Sequence, residues 1–203
     1  MENNNLFIVF EGIDGCGKST QIKKLSKYLN RLNESNVCTK EPTDSDIGGL
    51  IRNSIKKENV QFLPLTQLFL FSADRVEHTK WIRGKIDEGH HVLCDRFVDS
   101  TIAYQGRTKQ LEKAILDLNS LAFNLIQPDI VFFIDVSVDI ALQRIKNRVE
   151  TDCFENLNFL KNVRQRYFSR IKSKALNYVI IDGEKTIEET FISIKKALIN
   201  FRR

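Results

Sequence analysis

The sequence predicts an α/β fold: a parallel sheet of about five strands with helices on both faces. Three observations lead there. Short apolar runs rich in β-branched and aromatic residues alternate with segments whose apolar residues recur every three or four positions. The runs close on or beside polar residues, Glu11, Glu41, Asp95, Asp135 and Asp182, and ligands of such sheets bind beyond the carboxyl ends of the strands. At 203 residues, 42% hydrophobic and 28% charged, the chain suffices for one buried core, so 1–203 reads as a single domain.

The elements follow in order. The run 6–10 (Leu-Phe-Ile-Val-Phe) reads as a buried strand stopping at Gly12. Ile22, Leu25, Leu29 and Leu32 mark a helix over 19–32. A second strand spans 36–39, and the Asp-, Ser-, Thr- and Gly-rich stretch 41–49 reads as a loop, with helical periodicity resuming near Leu50. Pro64 opens a helix carrying Leu68, Phe71 and Val76 to Ile86, and Gly89 fits its end. A strand over 91–94 runs into Asp95, and a helix covers 111–125. After the turn at Gln127-Pro128-Asp129 comes the most apolar strand, 130–134. One helix is expected from about Val138, a strand over 178–181 and a last helix over 187–201. No internal repeat, low-complexity tract or linker interrupts this order.

The formal net charge is +5, but the lysines are spread over helix-like segments and form no basic arm, so no nucleic acid is implied. Cys16, Cys38, Cys94 and Cys153 contain no C-x-x-C pair, which argues against a zinc or dithiol site and for a reducing compartment. The start Met1-Glu2-Asn3-Asn4-Asn5 lacks the basic region of a signal peptide. No stretch approaches the roughly 18 apolar residues of a membrane span. A cytoplasmic protein without a membrane partner is expected.

The chemistry starts at Gly12-Ile13-Asp14-Gly15-Cys16-Gly17-Lys18-Ser19, which matches G-x-x-x-x-G-K-[ST] between a strand and a helix. The glycines bring backbone N–H groups close to phosphate oxygens, and the helix N-terminus adds partial positive charge. Lys18 reaches the β- and γ-phosphates of a nucleotide, and the Ser19 hydroxyl suits Mg²⁺. This loop alone does not separate a kinase from other nucleotide hydrolases, although the guanine-reading N-K-x-D pattern is absent. Three further segments bear on the choice. In Cys94-Asp95-Arg96-Phe97, a strand-end Asp suits a metal and the Arg suits two phosphates. Phe71 and Arg75 stand four apart, so on a helix they share a face where a ring stacks on a base and a guanidinium donates to its edge. Ser100-Thr101-Ile102-Ala103-Tyr104-Gln105-Gly106 is unusually polar for a segment partly inside.

Glu11 to Thr20, then Lys40-Glu41-Pro42, then Asp95-Arg96-Phe97 with 100–106, together resemble the thymidylate kinase family, its bacterial branch above all, over nearly the whole chain. The resemblance implies a three-layer P-loop kinase fold with a short lid at about 144–155, Mg·ATP as donor, dTMP as acceptor, dTDP as product and a homodimer. Carried onto this sequence, it implies that 12–20 (Gly12, Ile13, Asp14, Gly15, Cys16, Gly17, Lys18, Ser19 and Thr20) bind ATP together with the lid-side Arg144 and Arg148. It implies catalytic roles for Lys18, Asp95 and Arg96, with Ser19 and Asp95 at the metal. Asp14 faces the acceptor sugar, Glu41 lies at the acceptor pocket and Arg52 binds the acceptor phosphate. Phe71 stacks on thymine, Arg75 donates to its carbonyl, and Ser100 and Thr101 contact its edge. Tyr104 lies where a 2′-hydroxyl would clash, and Gln105 supports the base.

Three departures from the family pattern stand out: Thr43-Asp44 in place of Gly-Gly, Cys153 in Asp152-Cys153-Phe154-Glu155 in place of Arg, and Phe97 in place of Tyr or His. A phosphate nucleophile is already ionised at neutral pH, so His78, His90 and His91 are expected at solvated positions without a catalytic task. A kinase of another monophosphate or of a nucleoside, and a non-catalytic nucleotide-binding regulator, stay open at this point.

Overall fold

A computed structural model describes residues 5–55, 62–146 and 154–202. Five parallel strands, β1 (Phe7–Glu11), β2 (Asn36–Lys40), β3 (His91–Asp95), β4 (Ile130–Asp135) and β5 (Tyr178–Asp182), line up in the order β2-β3-β1-β4-β5. β1 is central because every one of its residues is buried, Phe-Ile-Val-Phe-Glu, and both of its edges are paired. Its alternate side chains feed two cores. Ile8 and Phe10 pack with α1 (Lys18–Arg31), α7 (Phe154–Lys172) and α8 (Ile187–Phe201), through Leu25, Val163 and Ile194 among others. Phe7 and Val9 pack on the other face with α3 (Pro64–Asp87), α4 (Val98–Gln105) and α5 (Lys109–Leu125), through Leu68, Ile102 and Ile115. Each fully buried Phe or Ile here contributes about 1.5–3 kcal/mol by leaving water. The result is the three-layer arrangement expected, with helices on both faces of a parallel sheet.

Three elements differ from the sequence expectation, the short α4 among them because its polar run 98–105 was assigned to no element. Helix α2 (Asp46–Ile55) begins inside the stretch read as a loop to 49. Ser45 starts it, its Oγ accepting from Gly48 N at 3.1 Å and its carbonyl from Gly49 N at 2.8 Å. Gly48 marks crowding here and not a turn, since a Cβ on it would lie 1.9 Å from the Thr43 carbonyl oxygen. Between β4 and β5 the chain forms α6 (Val138–Lys146) and, separately, α7. The long α7, with Leu160, Val163 and Tyr167 buried at helical spacing, has no counterpart in the elements expected. Among the described residues no helix is long and apolar enough to cross a membrane.

Candidate functional site

The carboxyl ends of β1 and β3 lie side by side, with Phe10 opposite Asp95, so the glycine loop and the Asp-Arg pair emerge together. Gly15 has φ 83°, and a Cβ there would meet the Ala141 carbonyl oxygen at 2.4 Å, so only glycine lets the loop press against α6. Lys18 folds back over the loop, donating to the carbonyls of Gly12 at 3.0 Å and Ile13 at 3.2 Å. Cys16 is buried beneath it with Sγ 3.7 Å from Nζ, Ile13 is buried, and Thr20 N closes the first helical turn onto Gly17. The loop thus holds a cation and a row of N–H groups at the N-terminus of α1.

Ser19 Oγ donates to Asp95 Oδ2 at 2.6 Å, and the other Asp95 oxygen is buried without a hydrogen-bond partner among the described residues. Two adjoining hard oxygens, one of them unsatisfied, suit Mg²⁺. A groove of about 680 Å³ lined by Ser19, Lys23, Lys40, Thr43, His78 and Asp95 opens beside this pair.

Arg96 follows at once in the chain with φ 75°, a left-handed conformation costing a non-glycine residue on the order of 1–2 kcal/mol. Its side chain is held from several directions. Nη2 donates to Asp14 Oδ1 at 2.6 Å, Nη1 donates to Ser100 Oγ at 3.0 Å, and the guanidinium lies 5.0 Å from the Tyr104 ring centroid. Tyr104 Oη donates to Asp14 Oδ2 at 3.0 Å. Burial alone raises the Asp14 carboxyl, but the charges of Arg96 and Lys18 outweigh it and keep the group below its ordinary value. Burial pushes the Tyr104 phenol well above its usual range. Asp14, Arg96 and Tyr104 therefore form one hydrogen-bonded cluster against the glycine loop.

A second cluster gathers around Arg75, only 1% exposed on α3. Its Nε and Nη2 grip Glu41 Oε2 at 2.8 and 2.6 Å. Nη2 also donates to Thr101 Oγ1 at 2.9 Å and Nη1 to Asn119 Oδ1 at 2.7 Å. One Nη1 hydrogen has no acceptor among the described residues. Phe71 lies half-buried one turn earlier on the same helix. Gln105, at the end of α4, has a buried Oε1 without a partner among the described residues. Arg52 on α2 turns its Nη1 onto the carbonyls of Pro42, at 3.2 Å, and Thr43.

A family model described as thymidylate kinase matches residues 10–194. The chain is 41% identical over 197 residues to a thymidylate kinase of Thermosipho melanesiensis, covering 95% of this chain and 97% of the relative. The chain belongs to the thymidylate kinase family. It is also 39% identical to the Thermosipho africanus thymidylate kinase and 36% identical to that of Pelobacter propionicus, each over about nine-tenths or more of both chains. The parallel five-stranded sheet with its glycine loop after β1 accordingly has the layout expected of P-loop kinases.

Within this thymidylate kinase fold, several of the expected site residues are engaged by other parts of the chain. Arg144 donates to the Gly183 carbonyl at 2.9 Å, on the β5 side. Arg148 and Cys153 lie outside the described residues, as does most of the segment expected to form a lid. Ser100 is buried and spends its hydroxyl on Glu11 Oε2 at 2.6 Å. The expectation that all three histidines are solvated is corrected. His78 is buried, with Nδ1 3.0 Å from Glu41 Oε1 and Nε2 2.8 Å from Thr39 Oγ1. His91 is buried too, its Nδ1 accepting from Leu6 N at 2.9 Å, while burial lowers its pKa. Both were misjudged because each satisfies its ring nitrogens on partners far away in sequence. Only His90 is partly exposed, with Nδ1 2.7 Å from Ser35 Oγ.

Sequence reasoning missed Asn119, His78 and Asp74. Asp74 accounts for the departure at Thr43: it accepts from Thr43 N at 2.8 Å, from Thr43 Oγ1 at 2.5 Å and from Ser45 Oγ at 2.9 Å. The hydroxyl tethers to α3 a loop that two glycines leave to the backbone alone. The available signal was an acidic residue beside Arg75 on a helix, facing inward where a solvated position is usual.

Proposed function

We propose that the protein is an ATP-dependent dTMP kinase, transferring the γ-phosphoryl group of Mg·ATP directly to the phosphate of dTMP to give dTDP, and that 1–203 acts as one kinase domain. The observation that carries this reading is the convergence of Lys18, Arg96 and Asp14 beside the Ser19–Asp95 pair, one turn of α4 away from Thr101 and its Arg75. Donor phosphate, metal, acceptor phosphate and base each have groups of matching chemistry.

The N–H groups of 12–20 and Lys18 bind the β- and γ-phosphates. Ser19 and Asp95 would hold Mg²⁺, which when bound neutralises charge on the phosphates. Arg96 stabilises charge spreading onto the transferred group, and Arg52, released from the Pro42 and Thr43 carbonyls, takes the acceptor phosphate. That phosphate is largely dianionic near neutrality, its second pKa being about 6, so no side chain has to remove a proton. Arg75 spends its remaining N–H on a thymine carbonyl while Phe71 stacks on the ring and Gln105 supports its edge. Thr101 and Ser100 act on the base by orienting Arg75 and the α4 backbone. Asp14 and Tyr104 border the deoxyribose, and Tyr104 excludes a 2′-hydroxyl. Arg144 and Arg148 serve the donor side of a lid. Cys16, Cys38 and Cys94 are free thiols, in keeping with work in the cytoplasm.

The assembly is proposed to be a homodimer. Helices α3 and α5, which pack together, expose Leu65 and Phe69, and Leu121 and Leu125, at 44% or more each, apolar positions open to a second copy.

The test is ADP formation from Mg·ATP with dTMP, dUMP, dGMP, dCMP, UMP and thymidine as acceptors. Strong turnover with dTMP and weaker turnover with dUMP is expected, because a methyl in an apolar pocket discriminates only about 10–200-fold. Turnover with thymidine or a purine monophosphate and none with dTMP would overturn the assignment.

A further inference from the structure

Glu11 ends β1 immediately before the glycine loop and is 1% exposed, yet none of the roles above uses it. Its carboxylate accepts four hydrogen bonds. Oε1 takes the backbone N–H of Phe97 at 2.8 Å and of Ser100 at 3.2 Å. Oε2 takes the hydroxyls of Ser100 at 2.6 Å and Tyr167 at 2.8 Å. Phe97 is the N-cap residue of α4, and its own side chain makes no cap hydrogen bond. The N-cap and N3 amides that a capping box satisfies locally are here satisfied by one oxygen from another strand. The two capped amides flank the turn that Arg96 enters in its left-handed conformation.

The side chain of Arg96 is tied to the same unit. The Ser100 proton goes to Glu11, so Ser100 Oγ presents a lone pair that accepts from Arg96 Nη1 at 3.0 Å. Tyr167 Oη lies 2.8 Å from Ser100 Oγ and 3.5 Å from Arg96 Nη1. Tyr167 comes from α7, is buried, and packs its ring on Phe133 at 5.1 Å between centroids. Three elements, β1, α4 and α7, thus converge on one arginine.

We propose that Glu11 and Tyr167 are positioning residues for the dTMP kinase reaction, holding the backbone and guanidinium of Arg96 in the geometry that meets the transferred phosphoryl group. The proposal rests on the reading of Arg96 given under Proposed function. Neither residue touches substrate, so both act on kcat through Arg96 and leave substrate affinity largely alone.

The experiment is steady-state kinetics of Y167F and E11Q, alone and combined with R96K, with thermal melts to establish that each variant is folded. Y167F keeps the buried ring and removes only the hydroxyl. It is expected to lower kcat about tenfold, with KM for ATP and dTMP changing less than about twofold, and E11Q to lower kcat up to about a hundredfold. In the R96K background, Y167F is expected to change kcat by less than about twofold, because the fork it orients is gone. An equal loss in both backgrounds, a change confined to KM, or no loss in either overturns the positioning role. Full kcat in R96K alone overturns the reading of Arg96 itself, and the positioning role falls with it. Should E11Q fail to fold, Y167F and S100A carry the same comparison.

Discussion

Glu11 shows how far the environment moves a single group. Burial, reinforced by the Asp99 charge, pushes its carboxyl up to about 7, against lowering by Ser100, Arg96 and the Phe97 amide. The folded chain therefore holds a proton between about pH 4.5 and 7 that the unfolded chain has released. The stability this group contributes is full below about 4.5 and is lost as pH rises through 7, a swing of roughly 3 kcal/mol. E11Q cannot titrate. Measured as unfolding free energy against pH, the stability of wild type relative to E11Q is expected to improve by about that amount between pH 8 and pH 4. Parallel curves would mean that the four donors hold Glu11 ionised throughout. Nothing in Phe10-Glu11-Gly12 alone signals this, because Ser100 and Tyr167 lie 89 and 156 positions away.

At the scale of elements, α2 and the loop before it carry Arg52 and Glu41, the residues proposed for the acceptor side. Two neighbouring glycines of α2 make opposite predictions. A Cβ at Gly48 meets Thr43 backbone at 1.9 Å, so G48A is expected to cost about 1–3 kcal/mol and to disturb the Thr43–Asp74 tether. A Cβ at Gly49 meets nothing within 4 Å, so G49A is expected to stabilise by up to about 1 kcal/mol. Urea denaturation of both variants checks the pair. Equal effects would contradict the packing of the loop against α2. The start of this helix was hidden because its glycines imitate a loop. Helix α3 was legible from Pro64 onward, but its inward polar residues, Ser72, Asp74, Arg75 and His78, were not readable as a buried face. Their burial depends on Glu41, Thr43 and Asn119 arriving from other elements.

For the whole molecule, the central place of β1 brings the glycine loop and Asp95 to one end of the sheet, and α3 with α5 covers the face beside the Arg75 cluster proposed to read the base. The same two helices expose apolar residues outward, so dimerisation is expected to buttress the pocket from behind. Sedimentation of the wild type should give a dimer, and F69E/L121E a monomer that is less stable to heat. A wild type that stays monomeric at micromolar concentration would refute the dimer and leave the single-chain site unaffected.

The chain by itself determined the strands, most helices, the phosphate loop and the family, since these rest on local periodicity and on contiguous motifs such as Gly12 to Ser19. It also singled out Asp95 and Arg96 at a strand end and Arg75 at helical spacing from Phe71, and the family resemblance added Tyr104. Tertiary structure alone decided how those residues are held. Glu11 as a cap for α4, Ser100 as a prop instead of an exposed hydroxyl, the inward His78, and Asp74 as the anchor of the Thr43 loop each depend on contacts between elements. Periodicity reports which side of an element faces inward, but not which polar group awaits it there. Where burial makes an unpaired polar group costly, only the assembled neighbours decide its role.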